Sequence, residues 1–451
     1  MENNLEYVKK TFYEAAPEKV DEMCDYAAGY SEFISKAKTE RECVTESVKM
    51  AEKAGYVPYK FGMPMNAGDK FYYNNRGKSI FLFRIGTEDI NEGIRISAAH
   101  IDSPRLDLKS VPLYEEGGFA YFKTHYYGGI KKYQWLSIPI ALHGVVVKTD
   151  GTTVEVVVGE DESDPVLYIS DILPHLGAEQ SRKTLGEAIP AEKLNIIVGS
   201  RPVDGKIKEN ILSILYDKYG ITEEDFLSAE LCGVPAGVAR DAGFDRSLIA
   251  GYGHDDRCCS YPALTALLDC EDTRHTLMCI LVDKEETGSD GVTGMKSMIM
   301  EDLLEAISLA RGGNYAAVRA NSKCLSADVS AAYDPNFADV FEKRNSAIIN
   351  CGAVLTKYTG SRGKSGTSDA SAEYLGWLRG VMAKYGVVWQ SAELGKVDAG
   401  GGGTVAKFIA NLNIDTVDLG VPVLSMHAPI EVISKADLFE AYRAFSAFCN
   451  Y

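Results

Sequence analysis

Short apolar runs that end in a histidine or an acidic residue are the main pattern along this chain. Four such runs lie directly before His100, Asp283, Asp328 and His427. Apolar runs of this length, bounded by turn residues, predict buried strands. Open α/β sheets bind their ligands outside the carboxyl ends of the strands. We therefore expect the side chains that follow these runs to converge on one crevice.

The remaining patterns indicate how the chain is organised. Residues 31–55 carry apolar side chains at helical spacing, and residues 70–85 read as two short strands joined by a turn. A helix is predicted to begin at Ser434, which precedes a run of regularly spaced aromatic and aliphatic residues. After Gly251 strand and helix patterns alternate, as they do in βαβ units.

The stretch from about residue 106 to about residue 240 differs from the segments on either side. It is rich in β-branched runs, and Asp150-Gly151 between two of them predicts a hairpin. We therefore predict an α/β catalytic domain built from two segments, 1–105 and 240–451. A β-rich insertion, residues 106–239, separates the two segments.

The polar residues at the predicted strand ends, together with an acidic motif, form a candidate metal site. Two imidazoles and three carboxylates suit one or two divalent metal ions. The candidate ligands are His100, Asp255, Glu286, Asp328 and His427. Each motif alone has an ordinary alternative, such as a solvated loop or a satisfied polar residue at a strand end. The five together favour a metal centre.

Two further carboxylates have candidate roles beside these ligands. Glu285 and Glu286 are adjacent, and their repulsion is costly unless a cation neutralises one of them. One can then bind metal while the other stays free as a general base. Asp102 lies two residues after His100, so in an extended segment it faces the same way and can hold the imidazole. The alternatives are an acidic turn in solvent and a surface His-x-Asp sequence.

Charge, apolar content and cysteine distribution indicate which binding partners and which cellular compartment are expected. The net charge of the 451-residue chain is -17, which argues against nucleic acid or an anionic membrane as the main partner. No apolar stretch reaches the length of about 18 residues that a membrane span needs, and the N-terminus lacks the features of a secretory signal. The ten cysteines are dispersed without a Cys-x-x-Cys pair, which predicts reduced thiols and a cytoplasmic protein.

The chain resembles the aspartyl aminopeptidase / aminopeptidase I family of dinuclear zinc metallopeptidases. The motifs that carry the resemblance occur in order along the chain: Ala99 to Pro104, Tyr127-Gly128-Gly129, Leu173 to Leu176, Asp255-Asp256-Arg257, Asp283 to Ser289, Ser326-Ala327-Asp328 and Leu424 to His427. The resemblance implies a zinc-peptidase-like catalytic domain with a central mixed sheet flanked by helices. It also implies that the inserted domain pairs subunits and that the dimers assemble into a dodecamer.

The resemblance also implies a role for each site residue. Asp255 would bridge two metal ions, most simply zinc, with cobalt or manganese possible. His100 and Asp328 would complete one metal site, and Glu286 and His427 the other. Glu285 would be the general base, and Asp102 would orient His100. His175, whose alternative is a capping or core histidine of the insertion, would assist the oxyanion in a neighbouring subunit.

The reaction implied is the release of N-terminal amino acids from peptides with a free N-terminus, by a bridging water activated by two metals and Glu285. Acid-specific members carry a lysine where this chain has Thr356, with Lys357 beside it, so a neutral or broad preference competes with an acidic one. Two other functions compete with this one, a two-metal hydrolase of another amide or ester bond and a non-catalytic assembly protein. Glu285 and Asp102 count against the last, because a scaffold needs no base beside a ligand set.

Overall fold

The protein is described here by a computed structural model that covers residues 5–272 and 274–451. Its α-helices are α1 (Phe12–Ala15), α2 (Val20–Lys36), α3 (Glu40–Lys53), α4 (Leu185–Ala188), α5 (Ile207–Tyr219), α6 (His254–Leu268), α7 (Ile299–Ala310), α8 (Tyr315–Asn321), α9 (Ala372–Tyr385), α10 (Ala406–Ala410) and α11 (Lys435–Asn450).

The β-strands fall into three sheets. They are β1 (Val57–Pro58), β2 (Lys70–Asn75), β3 (Ser79–Arg84), β4 (Ile94–His100), β5 (Arg105–Glu116), β6 (Phe119–Tyr127), β7 (Pro139–Val147), β8 (Thr153–Val158), β9 (Leu167–Tyr168), β10 (Ile196–Gly199), β11 (Ala229–Pro235), β12 (Arg240–Ala242), β13 (Leu248–Gly251), β14 (Thr276–Val282), β15 (Lys323–Ser326), β16 (Ser330–Ala331), β17 (Ala353–Thr356), β18 (Trp389–Ser391), β19 (Asp415–Gly420), β20 (Pro422–Leu424) and β21 (Glu431–Ser434).

A nine-stranded sheet forms the centre of the fold, in the order β1-β2-β3-β14-β4-β15-β19-β17-β18. The four neighbours β14, β4, β15 and β19 run parallel, whereas β3 and β17 pair with them in antiparallel fashion. This confirms the predicted α/β fold with a central mixed sheet. The parallel arrangement brings the carboxyl ends of β4, β14 and β15 to one edge of the sheet.

Helices cover both faces of this sheet and explain its unbroken apolar runs. One hydrophobic core contains residues of α2, α3, α6, α9 and α11, and a second core contains residues of α7, α8 and α10. Successive side chains of a strand point to opposite faces, so Leu281 joins the first core and Val282 the second. All seven residues of β14 are buried as a result. A strand that is covered on both sides shows no polar alternation.

The helical structure predicted over residues 31–55 is confirmed for most of this range, but it is divided between α2 and α3, because the chain turns at residues 37–39. The hydroxyl of Thr39 accepts a hydrogen bond from the backbone N–H of Glu42, and the Glu42 carboxylate accepts one from the N–H of Thr39. This reciprocal cap starts a new helix where the apolar spacing alone suggested continuity. The hairpin of β2 and β3 and the start of α11 at Ser434 are confirmed.

The second sheet is built entirely from residues 105–235. Its order is β11-β5-β6-β10-β9-β7-β8, and an additional pairing of β7 with β11 closes six of the strands into a ring. The strands β7 and β8 form the hairpin predicted at Asp150-Gly151. This part of the chain has its own hydrophobic core, which includes the fully buried Trp135. The boundaries of the inserted domain, 106–239, and its role in pairing subunits stay predictions.

The third sheet supports one side of the crevice. It has five strands in the order β12-β13-β21-β20-β16. The segment between β20 and β21 carries His427, so this small sheet holds a predicted ligand that the central sheet does not. Among the described residues, every helix is too short or too polar to cross a bilayer.

Candidate metal centre

The folded chain brings the five predicted ligands into one crevice. His100 is the last residue of β4, and it is in register with Val282, the last residue of the parallel strand β14. Glu286 follows β14 in a short 3-10 turn, and Asp328 lies two residues beyond β15. His427 follows β20, and Asp255 lies in the first turn of α6. All five line a single cavity of about 540 Å³.

Asp255 is the central residue of the cluster. Its Oδ1 lies 3.2 Å from Nε2 of His100, and its Oδ2 lies 3.2 Å from Nε2 of His427. The same nitrogen of His427 lies 3.5 Å from Oε1 of Glu286. Each oxygen of one buried carboxylate therefore faces a different imidazole.

Histidine and carboxylate side chains of the crevice form three overlapping groups, and within each group the donor atoms lie within 4.8 Å of one another. The groups are His100, Asp255 and Glu286; His100, Glu285 and Asp328; and Asp255, Asp256 and Asp328. Four ligands at the bond lengths usual for tetrahedral zinc lie about 3.3 Å apart. The observed contacts of Asp255 match that spacing.

The hydrogen bonding and charge of the cluster also fit a cation. Buried oxygens of Asp255, Asp256 and Glu286 have no hydrogen-bond partner in the part of the chain that the structure describes. Burial, together with neighbouring carboxylates, raises the pKa of Glu286 and of Asp328 well above the usual range. Such groups are costly without positive charge beside them, so the donor set suits divalent metal ions.

Asp102 is hydrogen-bonded to His100 and to the turn that carries Glu285 and Glu286. Nδ1 of His100 donates to the backbone carbonyl of Asp102 at 3.0 Å, and the Asp102 carboxylate lies 3.4 Å from the same nitrogen. The carboxylate accepts hydrogen bonds from the backbone N–H groups of Glu285 and Glu286 at 3.1 and 3.2 Å. The sequence predicted only the contact of Asp102 with His100. The two hydrogen bonds to the turn that carries Glu285 and Glu286 are an additional finding of the structure.

Glu285 has the surroundings expected of a free carboxylate. It lines the cavity, and its side chain makes no hydrogen bond to the residues that the structure describes. Burial, followed by the negative charges of Asp102 and Asp255, raises its pKa above the usual value. A carboxylate with a raised pKa is a stronger base.

The structure places His175 away from this cluster within the chain. It lies in an exposed 3-10 turn of the β-rich segment, Pro174–Leu176, and it does not line the cavity. Thr356 lines the cavity, whereas Lys357 pairs with Asp369 and does not line it. A different lysine, Lys407, also lines the cavity.

Two contacts that support the ligands have no strong signal in the sequence. Glu431, the first residue of β21, accepts hydrogen bonds from the backbone N–H groups of Asp255 at 3.0 Å and of His427 at 2.7 Å. Nδ1 of His427 donates to the carbonyl of Gly129 at 2.8 Å. In the sequence, Glu431 is marked only by its position four residues after His427. Gly129 is marked only as the second glycine of the pair that follows Tyr127.

The fold and the cluster together define a class of protein. A buried carboxylate between two imidazoles, a free glutamate and an adjoining cavity make up the site of a metal-dependent hydrolase. The peptide bond between Asp255 and Asp256 within this site is cis.

Comparison with known proteins makes the assignment specific. Residues 33–449 match the family model described as Aminopeptidase I zinc metalloprotease (M18). A protein of Clostridium acetobutylicum named "Probable M18 family aminopeptidase 1" is 53% identical over 435 residues, which cover 93% of this chain and 93% of that protein. The crystal structure of an M18 family aminopeptidase from Thermotoga maritima is similar with a TM-score of 0.94 at 45% identity, over 99% of this chain and 100% of that chain. The mApe1 dodecamer of S. cerevisiae shares the fold, with a TM-score of 0.76 at 22% identity over 94% of this chain and 96% of that chain.

The chain belongs to the M18 family of aminopeptidase I zinc metalloproteases. It is an aminopeptidase that hydrolyses peptides, and the predictions of family, fold class and activity are confirmed. The competing hypotheses of another hydrolase and of a non-catalytic assembly protein are therefore dropped.

Substituting Glu431→Gln is expected to weaken zinc binding by about 10- to 100-fold, the range typical of residues that hold metal ligands in place. The amide offers one oxygen to two backbone N–H groups, so the segments of Asp255 and His427 lose part of their support. Competition with a fluorescent zinc chelator measures the effect. Glu440→Gln is the matched control, because Glu440 is buried and accepts a hydrogen bond from the backbone N–H of Val388, and neither residue lines the cavity. Equal zinc affinity in both variants would contradict the role of Glu431.

Proposed function

We propose that this protein removes N-terminal amino acids from peptides by using two divalent metal ions and Glu285. The observation that carries the proposal is the placement of Asp255, whose two carboxylate oxygens lie 3.2 Å from two different imidazoles. One carboxylate so placed can serve two ions at once. We assign zinc as the metal, in keeping with the family, and cobalt or manganese are substitutes that the same donors tolerate.

The proposed ligands divide into two sets that share Asp255. His100 and Asp328 complete one set, and Glu286 and His427 complete the other. The contacts of His427 with Asp255 and Glu286 support the second set. His100 lies close to Asp328 in one of the three groups, as the first set requires, and close to Glu286 in another, so the two sets adjoin each other. When bound, the two ions supply positive charge that polarises the scissile carbonyl and lowers the pKa of water.

Glu285 acts as the general base in this proposal. Its carboxylate accepts a proton from the water that attacks the first peptide carbonyl, and it can return that proton to the leaving amine. The raised pKa of Glu285, caused mainly by burial, supports the assignment because it favours proton uptake. Asp102 orients His100 through the hydrogen bond to Nδ1 and fixes the turn that carries Glu285.

The β-rich insertion, residues 106–239, is proposed to pair subunits into dimers that assemble into a dodecamer. Its surface exposes large apolar side chains, which include Leu176 (69% exposed), Leu227 (63%) and Tyr216 (60%). Exposed apolar side chains in such numbers are typical of interaction surfaces. In this assembly His175 extends from the insertion into a neighbouring subunit's site and assists the oxyanion.

A cytoplasmic location completes the proposal. The ten cysteines of the described residues are free thiols, and nine of them are buried. Free thiols in this number suit a reducing compartment.

Substituting Glu285→Gln is expected to lower kcat by about 10²- to 10⁴-fold while metal content stays unchanged. The amide removes the base but not a proposed ligand. Hydrolysis of an amino-acyl anilide measures kcat, and elemental analysis of the same sample measures bound metal. Asp290→Asn, an exposed acidic residue five positions further along the chain, is the control. A Glu285→Gln variant that is loaded with metal and fully active would show that the base is misassigned.

Substituting His175→Ala is expected to lower kcat by about 100-fold, the effect of losing one oxyanion donor. The exposed side chain has no packing role in the chain, so the size of the assembly measured by light scattering should not change. His125→Ala, in strand β6 of the same insertion, is the matched control. Full activity in an intact His175→Ala assembly would make His175 a surface residue without a catalytic role.

A further inference from the structure

Tyr127 connects the β-rich insertion to the metal centre. It is the last residue of β6 and is only 8% exposed. Its hydroxyl donates a 2.6 Å hydrogen bond to Oδ2 of Asp102, which belongs to the catalytic segment. We infer that Tyr127 is a positioning residue that holds, through Asp102, the turn that carries Glu285 and Glu286. The inference rests on the roles proposed above for these two glutamates.

The Asp102 carboxylate transmits the contact to the two glutamates. Its Oδ1 accepts the backbone N–H of Glu285 at 3.1 Å, and its Oδ2 accepts that of Glu286 at 3.2 Å. The Tyr127 hydroxyl binds the second of these oxygens, so it fixes the carboxylate in the plane that serves both N–H groups. Tyr127 itself is not among the residues that line the cavity.

The ring of Tyr127 is held as firmly as its hydroxyl. The guanidinium carbon of Arg105 lies 4.2 Å from the ring centroid, and Nζ of Lys284 lies 5.1 Å from it. Two cations over an aromatic ring stabilise it in place. Burial raises the pKa of Tyr127 far above the usual value, so the hydroxyl keeps its proton and remains a donor.

A chain of ion pairs also links Arg105, which contacts the Tyr127 ring, to the start of the turn that carries the two glutamates. Arg105 pairs with Glu40 at 2.8 Å, and Glu40 lies 3.3 Å from Nζ of Lys78. The same nitrogen of Lys78 lies 3.7 Å from Asp283, the residue two positions before Glu285. The turn with the glutamates is thus held at one end by Asp283 and at its centre by Asp102.

This arrangement makes the insertion part of the catalytic apparatus. Altering a residue that holds a metal ligand in place typically changes metal affinity or activity by about 10- to 100-fold. Asp102 is such a residue for His100, and Tyr127 binds its carboxylate. Phenylalanine at position 127 keeps the ring beside Arg105 and Lys284 and removes only the hydroxyl. The Asp102 carboxylate then loses one of its hydrogen bonds and can rotate away from the N–H groups of Glu285 and Glu286.

The test compares Tyr127→Phe with Tyr126→Phe. Tyr126 is the preceding residue of the same strand, is 40% exposed, and makes no hydrogen bond through its hydroxyl to the described residues. We expect Tyr127→Phe to lower kcat at saturating zinc by at least about tenfold with KM within twofold of wild type, and to weaken zinc binding by at least about tenfold. Tyr126→Phe should match wild type in all three quantities.

A Tyr127→Phe enzyme whose kcat or zinc affinity stays within twofold of wild type overturns the inference. So does a Tyr126→Phe enzyme with the same losses, because the effect would then be general to the strand. The zinc measurement needs no turnover, so it remains informative if the proposed base is wrong. An active Glu285→Gln enzyme would disprove the base, whereas an unaltered Tyr127→Phe beside an inactive Glu285→Gln would disprove only the positioning role.

Discussion

The structure depends on one electrostatic constraint, the burial of several carboxylates around Asp255. Asp255 and Asp256 are buried, Glu286 and Asp328 are nearly so, and few of their oxygens have hydrogen-bond partners in the described residues. Uncompensated buried charge is among the costliest features a fold can carry. Two imidazoles face these carboxylates, and the proposed divalent cations would balance the remaining charge. The strand ends and the first turn of α6 hold these carboxylates and imidazoles in place.

The polar residues at the strand ends were predictable because each one closely follows an apolar run, so a short stretch of sequence shows both. His100, Glu286, Asp328 and His427 all followed such runs. The central sheet brought the first three together, and the five-stranded sheet placed His427 beside them. Glu431 was missed because its role depends on two backbone N–H groups from segments far apart in the chain. The contact of Tyr127 with Asp102 is hidden for the same reason, since it joins residues 25 positions apart in the chain.

Helix boundaries and the topology of the insertion were harder to predict. Periodicity alone runs through residues 31–55, and only the cap at Thr39 reveals that the chain turns there. The insertion was recognisable as β-rich from its composition, but the pairing of β7 with β11 that closes its ring is set by tertiary packing. Around the first two strands of the second sheet, Arg105, Gly129 and Tyr127 all contact the candidate centre or the residues that support it. This part of the chain therefore helps to shape the site.

The metal content of active protein tests the central claim most directly. Protein purified without chelators would be assayed for peptide hydrolysis and for transition metals in the same fractions, and anomalous scattering from crystals would locate the ions. We expect two divalent ions per chain, one on either side of Asp255, with loss of turnover when a chelator removes them and recovery when zinc is restored. Full turnover by protein that holds no stoichiometric metal would contradict it.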